Sequence, residues 1–311
     1  KAVDEEFQLE INAKLIKPLI VEDNKNIVSI VGENMKSSVG IAGQMFSSLG
    51  KNGINISAIA QGSSELSISA VIDKENEQKA LRALHEEFFF PETKAINVYL
   101  VGTGLIGKAL LNQIKEHSKT LESKSGHFIR VVGIANSKNI YLDPEGLDLN
   151  SFSLNNQGNM TSSIDEYIKI IKEQNLPNSV FVDCTASEEV VKKYQKILDS
   201  SISIITPNKK AQTGSYNDYI KLKNTANKKR LGFVFETSVG AGLPVINTLN
   251  DLLKSGDKII SIEAVLSGTL SFIFNSFDGS KSFSDVVLEA KENGFTEPDP
   301  RDDLNGLDVA R

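Results

Sequence analysis

Three observations predict the fold class. From Ile96 to Phe235, apolar strands alternate with amphipathic helices. The run Gly102-Thr103-Gly104-Leu105-Ile106-Gly107 stands between the first of those strands and its helix. Ahead of both, three short strands interleave with two helices. Together they predict an α/β protein built on a Rossmann-type doubly wound parallel sheet. A small ferredoxin-like α+β unit precedes the sheet and a truncated α+β unit follows it.

The elements follow in chain order. In residues 1–22, Phe7, Leu9 and Ile11 alternate with polar neighbours. That spacing predicts a strand closing a module that continues upstream. Residues 23–91 read strand, helix, strand, strand, helix. Ile27–Val31 is a short apolar strand. Ile41, Met45, Phe46 and Leu49 recur at helical spacing, and Gly50-Lys51-Asn52-Gly53 turns the chain. Ile54–Ala60 and Leu66–Ile72 are strands, the second alternating apolar and polar. Glu75–Phe88 is a helix with Ala80, Leu81, Leu84 and Phe88 on one face. Pro91-Glu92-Thr93-Lys94 reads as a boundary.

Residues 92–239 form the doubly wound unit. Its strands are Ile96–Val101, Ile129–Ala135, Val180–Cys184, Ile202–Thr206 and Phe233–Phe235. Its helices are Leu105–Glu116, Ile164–Glu173, Glu188–Leu198 and Tyr216–Thr225. Continuous apolar strands separated by helices predict a sheet covered on both faces. Asp143–Met160 is polar and reads as a long loop. Residues 240–311 change character: helix Leu243–Leu253, strand Ile259–Leu266, then helices Leu270–Phe277 and Phe283–Asn293.

Composition narrows the function classes. A net charge of −6 argues against nucleic acid, whose backbone selects basic surfaces. A single cysteine, Cys184, rules out an internal disulfide framework and fits a reducing, cytoplasmic setting. No apolar run approaches the roughly 20 residues that span a bilayer. His85, His117 and His127 lie far apart and show no ligand spacing.

The glycine run meets the context a dinucleotide site requires, a strand before it and a helix after it. Gly102 permits a tight turn, Gly104 lets backbone approach a pyrophosphate, and Gly107 lets helix and strand pack closely. The bland alternative is a glycine-rich turn. The next strand ends Asn136-Ser137-Lys138, without the acid that binds a ribose 2′-hydroxyl, which favours NADP or dual use over NAD. Thr185 follows the strand ending at Cys184, on the edge where such folds hold ligands. Cys184 itself reads as a small buried residue. Lys209 and Lys210, past another strand on that edge, could neutralise a phosphate or protonate a carbonyl oxygen. A solvated lysine pair is the alternative. Glu236–Pro244 is a sharp turn into a helix, whose carbonyls could hold a monovalent cation or serve only as a turn.

The last motif is acidic. Glu297, Asp299, Asp302, Asp303 and Asp308 fall within twelve positions, stiffened by Pro298 and Pro300. Such carboxylates are costly to bury unpaired, so the run suits a grip on a cationic group or a reacting hydroxyl. A calcium loop starting at Glu297 fails, since it would place Arg301 and Asp302 where an oxygen ligand and a glycine are needed.

These segments, in this order, resemble the homoserine dehydrogenase family, and residues 23–91 resemble an ACT domain. Residues 59–65, 206–210, 239–244, 266–270 and 296–311 carry the likeness. The whole resembles the C-terminal part of a bifunctional aspartokinase–homoserine dehydrogenase. The resemblance implies an enzyme that interconverts aspartate 4-semialdehyde and homoserine with NAD(P). It implies that Glu297 holds the substrate ammonium, that Asp303 and Asp308 orient the reacting oxygen or its proton-carrying partner, and that Lys209 contacts the substrate or assists proton transfer. It implies sodium on the carbonyls of Glu236, Val239, Ala241 and Leu243, and threonine as effector, with Gln61 within its reach. A plain turn role for Gln61 is the alternative. It also implies a homo-oligomer. In the family a lysine follows the arginine equivalent to Arg311, so weak activity or none is expected of this chain alone. The rival reading is a catalytically incomplete piece that binds threonine and dinucleotide and oligomerises.

Overall fold

A computed structural model describes residues 2–18, 20–36, 38–62, 66–89, 94–153, 160–161, 163–297 and 299–310. Ser63-Ser64-Glu65 of the ACT-like motif, the Pro91–Thr93 boundary, Pro298 and Arg311 lie outside the described residues. The chain divides into two compact units, Lys1–Glu92 and Thr93–Arg311.

The first unit opens with two short helices, α1 (Ala2–Glu6) and α2 (Gln8–Asn12), neither of which buries a residue. The predicted strand through Phe7, Leu9 and Ile11 is therefore corrected. A lone strand leaves its backbone groups unpaired, whereas a helical turn satisfies its own. Then come β1 (Lys25–Val31), α3 (Ile41–Lys51), β2 (Ile56–Ala60), β3 (Ser67–Asp73) and α4 (Glu77–Phe89). The strands form an antiparallel sheet in the order β1-β3-β2. Alternation along β3 turns Ile68, Ala70 and Ile72 inward. They meet Met45 and Leu49 of α3 and Ala80 and Leu84 of α4.

The second unit begins with β4 (Lys94–Val101), α5 (Leu105–Ser125), β5 (His127–Ala135), β6 (Asn139–Leu142) and β7 (Met160–Thr161). It continues with α6 (Ile164–Gln174), β8 (Ser179–Asp183), α7 (Glu188–Val191), α8 (Tyr194–Asp199) and β9 (Ser203–Ile205). Next are α9 (Lys210–Thr213), α10 (Tyr216–Lys229) and β10 (Phe233–Val234). The sheet order is β10-β9-β8-β4-β5-β6-β7. Strands β10 to β5 pair in parallel, and β6 and β7 add an antiparallel edge. That edge is not foreseen in the sequence, because four residues are too few to show a period. The helix predicted over Glu188–Leu198 is interrupted at Lys192-Lys193.

Both faces of this sheet are covered. Tyr99, Val132, Phe181 and Ile204 join Tyr167, Tyr194 and Ile197 on one face. Val98, Leu100, Val131, Ile134 and Val182 join Leu111 and Ile114 of α5 on the other. Full burial of a large apolar side chain contributes about 1.5–3 kcal/mol, so these two layers fix the sheet. Strand order reverses between β4 and β8, and ligands of doubly wound folds bind at the carboxyl ends of strands at that point.

Four-residue to ten-residue helices complete the unit: α11 (Ile246–Lys254), α12 (Gly268–Ser276), α13 (Phe283–Glu292), α14 (Pro300–Leu304) and α15 (Leu307–Ala310). The predicted strand Ile259–Leu266 is corrected to irregular, non-sheet chain. Ile260 is 97 % exposed and Val265 85 %, and no described strand pairs with them. An apolar alternation becomes a strand only where a ladder partner exists.

Candidate active site

The turn after β4 is built for close approach. Gly102 has φ +94, and a Cβ there would lie 2.7 Å from the Thr185 methyl and 2.8 Å from the Cys184 carbonyl carbon and oxygen. A Cβ on Gly107 would sit 1.9 Å from the Gly102 carbonyl oxygen, so α5 and β4 pack at a distance only glycine allows. Gly104 differs: nothing lies within 4 Å of its added Cβ. It is the N-cap of α5 and makes no side-chain capping bond, so the helix presents its positive end to open space. That cradle fits a dinucleotide pyrophosphate. Thr103 is half-buried, while Leu105 and Ile106 are exposed at the helix start.

At the end of β5, Asn136 Oδ1 accepts from the amides of Lys138 and Asn139, both at 2.8 Å. This side-chain turn starts the β5–β6 hairpin and leaves Ser137 and Lys138 exposed. No carboxylate occupies that strand end.

Beneath the same edge lies a buried polar network. Asp183 ends β8 with no exposure and takes donors from three sides. The Thr185 amide donates to its Oδ1 at 2.7 Å, the Tyr194 hydroxyl to its Oδ2 at 2.6 Å, and Asn208 Nδ2 to Oδ2 at 3.1 Å. Burial pushes the Asp183 carboxyl above its usual range, and these hydrogen bonds hold it back. Burial also raises the Tyr194 hydroxyl. The Cys184 thiol, between Asp183 and Thr185, is pushed up to about 12 by burial and the neighbouring carboxylate.

Past β9 the chain turns at Pro207-Asn208 and presents Lys209. Lys209 Nζ donates to Asp308 Oδ1 at 2.7 Å, joining the two motifs across 99 positions of sequence. Both side chains are partly buried, 31 % and 18 % exposed, so solvent screens the pair only in part. Glu297 sits beside them. Burial raises its carboxyl first, then the charges of Asp308 and Asp303, while Lys209 opposes the shift. Asp303 is 2 % exposed, and its Oδ2 accepts the Glu297 amide at 2.9 Å. Asp299 caps α14 and grips Arg301, which holds the Asp299 carboxyl down at about 2. The acidic run thus divides: Glu297 and Asp308 meet Lys209, Asp303 fixes the loop, and Asp299 faces its own arginine.

The Glu236–Pro244 turn holds one group that the sequence analysis did not assign. The Glu236 carboxylate accepts the amides of Ile246 at 2.9 Å and Asn247 at 2.8 Å, capping the start of α11. A carboxylate ten residues before a helix start gives no local signal, because the chain must first reverse. Ala241 has φ +51, and Leu243 is exposed. The Glu236 carbonyl accepts from the Val239 amide at 3.4 Å, and the Leu243 carbonyl from the Val245 amide at 2.9 Å. Among the described residues, no three His, Cys, Asp or Glu side chains converge as metal ligands. In the other unit, Gln61 is exposed directly after β2. No helix among the described residues is long and apolar enough to cross a membrane.

Residues 102–236 match the homoserine dehydrogenase NAD-binding domain and residues 244–311 the homoserine dehydrogenase domain. Residues 28–88 match an ACT domain. The chain is 42 % identical to a chloroplastic bifunctional aspartokinase/homoserine dehydrogenase 2 of Arabidopsis thaliana, over 100 % of this chain and 34 % of that protein. It is 43 % identical to a homoserine dehydrogenase of Schizosaccharomyces pombe, over 70 % of this chain and 59 % of that one. It resembles a solved hyperthermophilic archaeal homoserine dehydrogenase in complex with NADPH. There the TM-score is 0.58 at 29 % identity, covering 70 % of this chain and 66 % of that chain. The chain spans about a third of the length of the bifunctional relatives it matches. An open glycine cradle, a lysine–aspartate pair and matches over most of the chain converge: it belongs to the homoserine dehydrogenase family, with an ACT domain ahead of the dehydrogenase segments.

Proposed function

We propose that the protein containing this chain interconverts aspartate 4-semialdehyde and homoserine with NAD(P). The observation that carries this is the Lys209–Asp308 pair beside Glu297, which joins an ammonium grip to a proton donor. A reduced nicotinamide, when bound, supplies a hydride to the aldehyde carbon. Gly102, Gly104 and Gly107, with Thr103, Leu105 and Ile106, would hold its pyrophosphate, and Thr185 lies on the same edge. Glu297 holds the substrate ammonium. Lys209, oriented by Asp308, gives a proton to the aldehyde oxygen as the carbon is reduced. Asp303 contributes by fixing the Glu297 backbone.

Several finer readings belong to the same proposal. Asn136, Ser137 and Lys138 favour NADP, since no acid repels a 2′-phosphate. Sodium binds the carbonyls of Glu236, Val239, Ala241 and Leu243. An amino acid, threonine by family likeness, reaches Gln61 on the ACT unit. Residues 92–239 serve the dinucleotide and 240–311 the substrate and a homo-oligomer interface. The parent is a bifunctional aspartokinase–homoserine dehydrogenase of the cytoplasm. Semialdehyde-dependent NADPH oxidation by the full-length protein, followed by absorbance, tests the proposal. Turnover is expected, and no turnover would refute the assignment.

A further inference from the structure

Outside the reacting groups, the most constrained polar cluster is the one around Asp183. Asp183, Tyr194, Thr206 and Asn208 are each at most 4 % exposed, yet all stand at the ligand edge of the sheet. Their bonds run in two directions. Toward the dinucleotide cradle, Asp183 Oδ1 holds the Thr185 amide, and Thr185 Oγ1 in turn accepts the Ser187 amide at 3.1 Å. Thr185 and the Cys184 backbone are the groups pressed against Gly102. Toward the acidic loop, Asp183 Oδ2 holds Asn208 Nδ2, which also donates to the Ser187 carbonyl at 3.1 Å. Thr206 Oγ1 accepts the Asn208 amide at 2.9 Å and donates to the Asp183 carbonyl at 3.0 Å. Asn208 Oδ1 accepts the Lys210 amide, so Lys209 lies between two tethered residues. Tyr194 reaches up from α8, donates to Asp183 Oδ2 and lies 3.0 Å from Thr206 Oγ1.

A buried carboxylate with this many donors is costly to disturb, and a network this connected moves as one body. We infer that Asp183, braced by Tyr194, is a positioning residue that sets the Thr185 turn and the Lys209 turn together, so that one buried group aligns the cofactor cradle with the substrate-side lysine. This rests on the dehydrogenase reading, and it concerns residues that touch neither ligand.

The test uses the full-length protein and two variants. Tyr194→Phe removes one hydroxyl and keeps the ring packed against Phe233. Asp183→Asn keeps the shape and weakens the acceptor. NADPH affinity is measured by calorimetry, and kcat and the KM for semialdehyde by steady-state kinetics, well below each thermal midpoint. Tyr194→Phe is expected to weaken NADPH binding and lower kcat/KM for semialdehyde, each by about three- to ten-fold, in the range of one buried hydrogen bond. Asp183→Asn is expected to do both more strongly, if it folds. Tyr194→Phe alone decides the matter otherwise. A lowered melting temperature with both ligand parameters unchanged would make the cluster plain core. A change on one side only would overturn the shared anchor. Wild type that binds NADPH but turns over no semialdehyde would instead overturn the proposed function, and the affinity measurement separates the two failures.

Discussion

The doubly wound sheet and the segment that follows Gly240 differ in where their apolar residues find partners. In the sheet, Tyr99, Val132, Ile134, Phe181 and Ile204 are buried almost completely. After Gly240 the core shrinks to Ile273, Val286 and Ala290, while Ile260, Ile262, Val265 and Leu266 stand exposed. Yet Lys209 of the first region is held by Asp308 of the second. The cofactor half of the site therefore rests on a self-sufficient core. The substrate half rests on polar ties to that core.

The sharpest way to break this contrast is a matched truncation. Ile134→Ala should cost about 2–5 kcal/mol, because it leaves a cavity in a close-packed layer. Ile260→Ala, fully in solvent, should stay within about 0.5 kcal/mol. Urea unfolding of both variants measures it, and equal costs would show that the exposed stretch is buried in solution.

A second pair probes the glycine cradle. Gly107→Ala must push α5 off the Gly102 carbonyl and should cost about 1–3 kcal/mol, with loss of NADPH binding. Gly104→Ala meets no protein atom and should leave stability unchanged while still weakening NADPH. Thermal melts paired with calorimetry separate the two.

The third prediction concerns the acidic side. Asp308→Asn should lower kcat by about ten-fold or more while sparing cofactor binding, and Glu297→Ala should chiefly raise KM. The Glu297 carboxyl is raised by burial and by its acidic neighbours, so the folded state binds its proton more tightly than the unfolded chain does. Its contribution to stability is present below the ordinary glutamate range and is lost as pH rises through the raised value. Glu297→Gln should therefore gain stability relative to wild type as pH climbs above the ordinary glutamate range. A difference independent of pH would show that the Glu297 carboxyl is neither buried nor crowded by its acidic neighbours.

The smallest effect is expected at the hairpin after β5. Lys138→Glu should shift preference from NADPH toward NADH by a few-fold at low salt. The shift should fade at high salt, because Lys138 is exposed. A wild type that strongly prefers NADH would refute that reading.

These contrasts also explain what was legible in the sequence. Strands β4 and β8 announce themselves because each buries most of its residues, leaving continuous apolar runs. Gly102 and Gly107 are legible because backbone geometry there admits no substitute. The strand expected at Ile259–Leu266 carries the right alternation, but pairing is a property of partners, which spacing cannot encode. The Asp183 network and the Glu236 cap were missed for the same reason. Asp183 shows as a polar residue at a strand end, and only the fold brings Tyr194 and Asn208 to it.

Cys184 has a practical consequence of another kind. A thiol held near 12 is almost wholly protonated at neutral pH, and the thiolate is the form that alkylating reagents attack. The chain's one native sulfhydryl, partly buried and held protonated, is therefore expected to react slowly with such reagents. A cysteine introduced on an exposed position would carry a maleimide probe without first removing Cys184. The turn that presses on Gly102 could then stay native while distances between the two units are measured in solution.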